Sequence, residues 1–139
     1  MRGLVVVLSL LFILEVPPAN PMPQKRVCKG RREVVGDCFT MHGRLSFGNG
    51  IGHVIWWIGK NRVLHPNPDD LPEKLEDVSD FGVAVFGDFE VCPLTKQREG
   101  EMQMICVESV SNIVIVDHRP EEKGGKAIVR KLVGQTYHN

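Results

Sequence analysis

The sequence predicts a mainly β domain, a small OB-like barrel or a β-sandwich, that is built from consecutive hairpins and preceded by a signal peptide. Two runs of β-forming residues flank Asn49-Gly50, and Asn-Gly is the strongest short hairpin signal. A second pair of runs brackets Arg98-Glu99-Gly100. The 14 glycines and 9 prolines favour turns and short strands over long helices. We favour the barrel because the first three predicted strands form a meander with glycines at which they can bend.

We interpret residues 1–19 as a signal peptide or an N-terminal anchor. Arg2 precedes the apolar stretch from Leu4 to Leu14, which is too short to span a bilayer but suits a signal peptide. Ala19 is the candidate cleavage site, although Pro17 stands where a small residue is preferred. Residues 20–27 read as a linker. We therefore predict export to the periplasm or the extracellular space, with membrane contact only through an uncleaved N-terminal segment.

The four cysteines predict two disulfides, since exported proteins fold in an oxidising environment. Three pairings are possible. A hairpin loop at Arg98-Glu99-Gly100 sets Cys92 opposite Cys106, so we predict a Cys92–Cys106 bond and, by elimination, Cys28–Cys38. The sequence contains no C-x-x-C pair, which disfavours a zinc site.

The first hairpin determines which tryptophan faces the core. A two-residue turn at Asn49-Gly50 sets Gly43 opposite Trp56 and His42 opposite Trp57. Neighbouring residues of a strand point to opposite faces, so one face becomes wholly apolar or glycine: Phe39, Met41, Gly43, Leu45, Phe47, Val54, Trp56 and Ile58. The other face carries Thr40, His42, Arg44, Ser46, His53, Ile55 and Trp57. Trp56 is thus the predicted inner indole and Trp57 the outer one.

Further elements complete the predicted domain, residues 28–118. A short strand is expected around residues 62–64, and a short helix from Pro72 to about Val78 within the proline-rich segment 65–80. Gly87 predicts a bulge in the strand before Cys92. Residues 113–116 are apolar on both faces and predict a central strand.

Residues 119–139 form a charged tail. Ile128, Val129, Leu132 and Val133 recur at helical spacing, which predicts a short amphipathic helix. A final strand and a disordered tail are the alternatives.

The outer face of the hairpin is the candidate ligand-binding surface, formed by Trp57, His42, Arg44 and Ile55. A mixed aromatic and polar sheet face suits a protein, a peptide or a glycan as partner. Alternatively, residues 66–80 or the C-terminal segment fold over Trp57, and the patch is a second small core.

No catalytic or cofactor motif stands out. Basic and acidic residues both number 17, so charge gives no reason to expect nucleic acid as a partner. G-x-S-x-G is absent from the sequence, oxidised cysteines cannot act as nucleophiles, and His42 and His53 are too far apart to share a metal ion. Same-face carboxylates such as Asp88 and Glu90 are usually only solvated. We predict no metal, no cofactor and no enzymatic activity.

Two runs, "CFTMHGRLSFGNG…IWWIGKNRVL" and "VFGDFEVCPLTKQREGEMQMICVESVSN", together with the segment between them, cover roughly residues 37–112, from Cys38 to Asn112. They resemble uncharacterised small exported bacterial proteins. The resemblance implies export and a β-rich domain, and it supplies no site. The leading functional hypothesis is an exported, non-enzymatic binding or interaction module. The alternative is a structural envelope protein without a small-molecule ligand, and a metal-dependent or carboxylate hydrolase ranks third.

Overall fold

The computed structural model describes residues 27–139. Within these residues the chain forms seven strands, one α-helix and two 3₁₀ turns, the latter at Pro68–Asp70 and Glu121–Lys123. The strands and the helix are β1 Phe39–Gly48, β2 Gly52–Trp57, β3 Arg62–Pro66, α1 Glu73–Val78, β4 Val83–Pro93, β5 Gln103–Asp117, β6 Ile128–Leu132 and β7 Tyr137–His138. The predicted signal peptide or anchor and all of the linker except Val27 lie outside the described residues.

Five of the described strands close into a barrel, which confirms the mainly β prediction and selects the barrel over the sandwich. The first three strands form an antiparallel meander, and β4 pairs with β1 on the side opposite β2. The long strand β5 pairs antiparallel with β4 and parallel with β3. The order around the barrel is therefore β1-β2-β3-β5-β4, and β6 and β7 extend the sheet beside β5.

The barrel core is formed by alternate residues of the five strands and by the segment between β3 and β4. Phe89 of β4, Leu45 of β1 and Ile55 of β2 are all fully buried. Leu71 and Leu75, on either side of the start of α1, belong to the same cluster. The predicted short helix is thus confirmed, and it supplies apolar side chains to the core.

The predicted register of the first hairpin is wrong by one residue. The β1–β2 ladder pairs Gly43 with Trp57 and ends at Gly48 and Gly52, so the loop contains Asn49, Gly50 and Ile51. A two-residue type I′ turn would need positive φ at both Asn49 and Gly50. The glycines at 50 and 52 have positive φ (74° and 79°), and Asn49 does not.

This shift exchanges the faces of β2, because neighbouring residues of a strand point to opposite sides. Ile55 and Trp57 face inward, and Trp56 faces outward with 46% of its surface exposed. The space beside Gly43 is filled by Met41 and Ile55 rather than by Trp56: a Cβ added at Gly43 would lie 2.8 Å from Cγ2 of Ile55. The predicted faces of β1 are confirmed, because Met41 and Leu45 are buried and Arg44 is exposed.

The disulfides are Cys28–Cys106 and Cys38–Cys92, so the predicted connectivity is wrong. The predicted register that sets Cys92 opposite Cys106 is confirmed. However, β4 also pairs with β1, and this ladder sets Phe39 opposite Val91. Cys38, just before β1, therefore lies beside Cys92 of β4, with 4.1 Å between their Cα atoms. Cys106 is then left for Cys28.

Residues 27–37 form an arm that is fastened to the outside of the barrel. Besides the disulfide of Cys28, the backbone N–H groups of Cys28 and Lys29 donate to the carboxylate of Glu108 at 2.7 and 3.1 Å. Arg31 forms an ion pair with Asp70, which is 4% exposed. The arm therefore links the start of the described chain to β5 and to the segment after β3.

Two predictions for the second half of the chain have different outcomes. The predicted bulge is confirmed, because the β4–β5 ladder shifts register between Phe86 and Asp88, on either side of Gly87. The predicted C-terminal helix is wrong, since β6 and β7 pair with β5 and the strand alternative applies. Leu132, one of the four apolar residues used for that prediction, packs against the barrel core.

Candidate functional site

The exposed indole of the hairpin is that of Trp56, in the middle of the outer face of the barrel. The ladders set Arg44 of β1 on one side of it and Val63 of β3 on the other. The guanidinium carbon of Arg44 lies 5.7 Å from the centre of the Trp56 ring system, within the range of a cation–π contact. This pair places a flat apolar surface beside a fixed positive charge.

Next to Arg44, the side chain of His42 is held by Asp88 of β4. His42 Nδ1 lies 2.8 Å from Asp88 Oδ1, so this nitrogen donates to the carboxylate and Nε2 is left for other contacts. The second carboxylate oxygen accepts a 2.6 Å hydrogen bond from the amide of Asn112. The outer surface, as used below, consists of Trp56, Arg44, His42 and Asp88.

The position of Asn112 depends on the bulge at Gly87. Asn112 has φ of 51° and is the one non-glycine residue with positive φ among residues 27–139. Asparagine tolerates this conformation better than most residues. A Cβ on Gly87 would lie 2.9 Å from the carbonyl oxygen of Ser111, so only glycine allows β5 to approach this closely. The bulge thus brings Asn112 to Asp88.

The pKa of Asp88 is lowered, first by the hydrogen bond from Asn112 and then by that from His42. The Asp88 carboxylate therefore binds a proton less readily in the folded domain than in the unfolded chain. The contribution of ionised Asp88 to stability is complete above about pH 4 and is lost as the pH falls through the lowered pKa.

Replacing Asn112 with glycine should raise the pKa of Asp88 toward its ordinary value, because glycine keeps the positive φ and removes the amide. His42→Ala should raise this pKa by less. Carboxyl-carbon NMR titration of Asp88 in the two variants gives the measurement. A larger rise in the His42 variant would show that the imidazole, not the amide, is the principal partner.

Only part of the predicted binding patch lies on the outer surface. Arg44 and His42 do. Ile55 is fully buried, and Trp57 packs against the core with its ring stacked on Phe39 at 5.3 Å. Trp56 was missed because the predicted turn was one residue too short.

A cleft of about 630 Å³ lies beside the outer surface, lined by residues 61–63 and 97–103. Sequence reasoning missed it, because its two walls meet only through the parallel pairing of β3 with β5. Val63 lines the cleft and is also opposite Trp56 in the β2–β3 ladder. The cleft and the outer surface therefore border each other.

The carboxylates of β4 are each held by other side chains. Asp88 contacts His42 and Asn112. Glu90 forms a 2.6 Å ion pair with Lys29 and accepts a hydrogen bond from Ser109, and its pKa is lowered chiefly by Lys29. In the described part of the chain, no group of three or more His, Cys, Asp or Glu side chains is arranged to hold a metal ion.

No family model, curated protein or solved structure matches this chain. The two disulfides indicate an oxidising, non-cytoplasmic environment. None of the helices between residues 27 and 139 has the length and apolar character needed to cross a membrane.

Proposed function

We propose that the protein is an exported, non-enzymatic binding module whose outer surface recognises a protein, peptide or glycan of the cell envelope. The observation that carries this proposal is the exposed indole of Trp56 with Arg44 packed against it. An indole gives a large apolar contact at low cost in side-chain entropy, and neighbouring polar groups orient the ligand.

The fixed imidazole of His42 supports the same proposal. Asp88, which accepts a hydrogen bond from Asn112, holds the imidazole in one orientation, so less conformational entropy is lost when a ligand bonds to Nε2. Asp88 and His42 have no serine or threonine hydroxyl among their hydrogen-bond partners in the described structure. The arrangement therefore favours binding without turnover. OB-type barrels bind oligonucleotides and oligosaccharides on the face of their second and third strands. Trp56 lies on β2 and Val63 beside it on β3, so the comparison with OB-type barrels supports the proposal by analogy.

The alternative is a structural envelope protein. It is favoured by the packing of Trp57 and Ile55 into the core, because the two apolar residues of the predicted patch then serve stability. The two proposals differ in what the outer surface does. It must bind a component of the envelope in the first and needs no ligand in the second.

Replacing Trp56 with alanine should abolish retention of envelope components and leave the fold within about 1 kcal/mol of the original stability. Phe81→Ala is the matched control, since this aromatic side chain is similarly exposed at 47%. Affinity capture from solubilised envelope, quantified by mass spectrometry, compares the two variants with the unsubstituted protein. Unchanged capture by the Trp56 variant would reject the proposal in favour of the structural alternative.

A further inference from the structure

Arg62 lines the cleft, and its guanidinium is held in place by neighbouring groups. Arg62 Nη2 donates to Oε1 of Gln103 at 2.7 Å, and Gln103 Nε2 donates to the carbonyl oxygen of Thr95 at 2.8 Å. Gln103 is only 8% exposed. The guanidinium carbon also lies 5.1 Å from the ring centre of Trp57. A buried amide and an aromatic ring therefore orient Arg62 before any ligand arrives.

This arrangement leaves donors of Arg62 free. Among residues 27–139, Gln103 is the one protein hydrogen-bond partner of the Arg62 guanidinium, and it takes one of the two hydrogens of Nη2. The Nε–H group shares one edge of the guanidinium with one Nη2 hydrogen, and Nη1 shares the far edge with the other Nη2 hydrogen. Since Gln103 takes one Nη2 hydrogen, one edge keeps two N–H donors that match the two oxygens of a carboxylate. We infer that Arg62 binds a carboxylate of the ligand, and that this ligand is an acidic oligosaccharide containing uronic acid. The inference rests on the proposed function and names the ligand class.

The charges around Arg62 favour a carboxylate over a phosphate. The exposed rim carries Glu99 and Glu101, and Arg98 lies 4.0 Å from Glu101. Two carboxylates on the rim oppose the entry of a phosphate dianion more strongly than that of a singly charged carboxylate. A uronate presents one negative charge per sugar and hydroxyl groups for the polar rim.

The pairing of β3 disfavours a peptide in this cleft. Residues 62–64 pair with β2, and residues 64–66 pair with β5. On the side of β3 that faces β5 and the cleft, only Arg62 and Val63 have a free backbone edge, which is too short for a peptide to add as a strand. A sugar is bound through side chains alone, and its ring can continue past Val63 onto the flat face of Trp56.

The test uses the exported, oxidised protein and isothermal titration. The probes are short oligomers of galacturonate, glucuronate and mannuronate, the carboxyl-reduced neutral form of each, and a glutamate-rich peptide. Arg62→Lys keeps the charge but removes the forked donors, and Arg98→Lys is the matched control on the rim. The Nε–H NMR signal of Arg62 in the unsubstituted protein gives a second measurement that does not depend on how the variants fold.

We expect at least one uronate oligomer to bind. Its carboxyl-reduced neutral form should bind at least about tenfold more weakly. Arg62→Lys should reduce uronate binding to the neutral level, Arg98→Lys should not, and the Nε–H signal should shift on titration. The inference is overturned if no uronate binds, or if the peptide binds more tightly than every uronate. It is also overturned if the affinity is unchanged by reduction of the carboxyl group or by Arg62→Lys. If envelope capture still depends on Trp56, such a result rejects the ligand class alone. If it does not, the proposed function fails as well.

Discussion

Replacing both Cys38 and Cys92 with alanine should lower the free energy of unfolding by about 4 kcal/mol. The bond joins residues 54 positions apart in the sequence. Removing it restores much of the conformational entropy of the unfolded chain, and alanine leaves no unpaired thiol. Urea denaturation of the variant and the unsubstituted protein gives the difference.

Peptide mapping without reduction checks the premise of this prediction. We expect a peptide that links Cys38 to Cys92 and another that links Cys28 to Cys106. A peptide linking Cys28 to Cys38 would contradict the β1–β4 register. A loss of stability well under 1 kcal/mol would show that the unfolded chain is already restricted without this bond.

Replacing Ile55 with alanine should destabilise the domain by about 2–5 kcal/mol, the range for a large aliphatic side chain lost from a core. Ile55 is fully buried and fills the space beside Gly43. The neighbouring Trp56→Ala should cost far less, because that indole is largely outside the core. Thermal or urea unfolding of the two variants compares them directly, and a greater loss for Trp56 than for Ile55 would restore the register predicted from the sequence.

Local sequence signals predicted individual elements well. Gly87 predicted the bulge, and Pro72 predicted where the short helix begins. The Arg98–Gly100 turn predicted that Cys92 lies opposite Cys106. Each of these features depends on the conformational preferences of a few consecutive residues, which are visible in a single sequence.

Two errors had different causes, one a long-range strand pairing and the other the length of a local turn. Cys38 meets Cys92 because β4 pairs with β1 as well as with β5, and no turn connects β1 to β4 directly. The faces of β2 were inverted by one additional loop residue, Ile51, which exchanges every side chain between core and solvent. The predicted register had been supported by the wholly apolar face to which it assigned Val54 and Trp56. That support was misleading, because Val54 lies on the outward side of β2 and is nevertheless buried, at 8% exposure.

The same two causes explain why the candidate site could be predicted only in part. Arg44 and His42 are placed by β1 alone, whose faces were predicted correctly. Trp56 required the true loop length, and the cleft required the closure of the barrel between β3 and β5. Trp57, predicted to contact the ligand directly, instead lies against Arg62 and helps to orient it.

The recognition role of the outer surface is tested most directly by acrylamide quenching of Trp56 fluorescence in a Trp57→Phe variant, without and with an envelope fraction. Acrylamide is neutral, so Arg44 does not attract it as it would attract iodide. We expect strong quenching in the free protein, because 46% of this side chain is exposed, and clear protection once the envelope ligand is bound. An indole that is protected in the free protein, or equally quenched with and without the envelope fraction, would contradict this role.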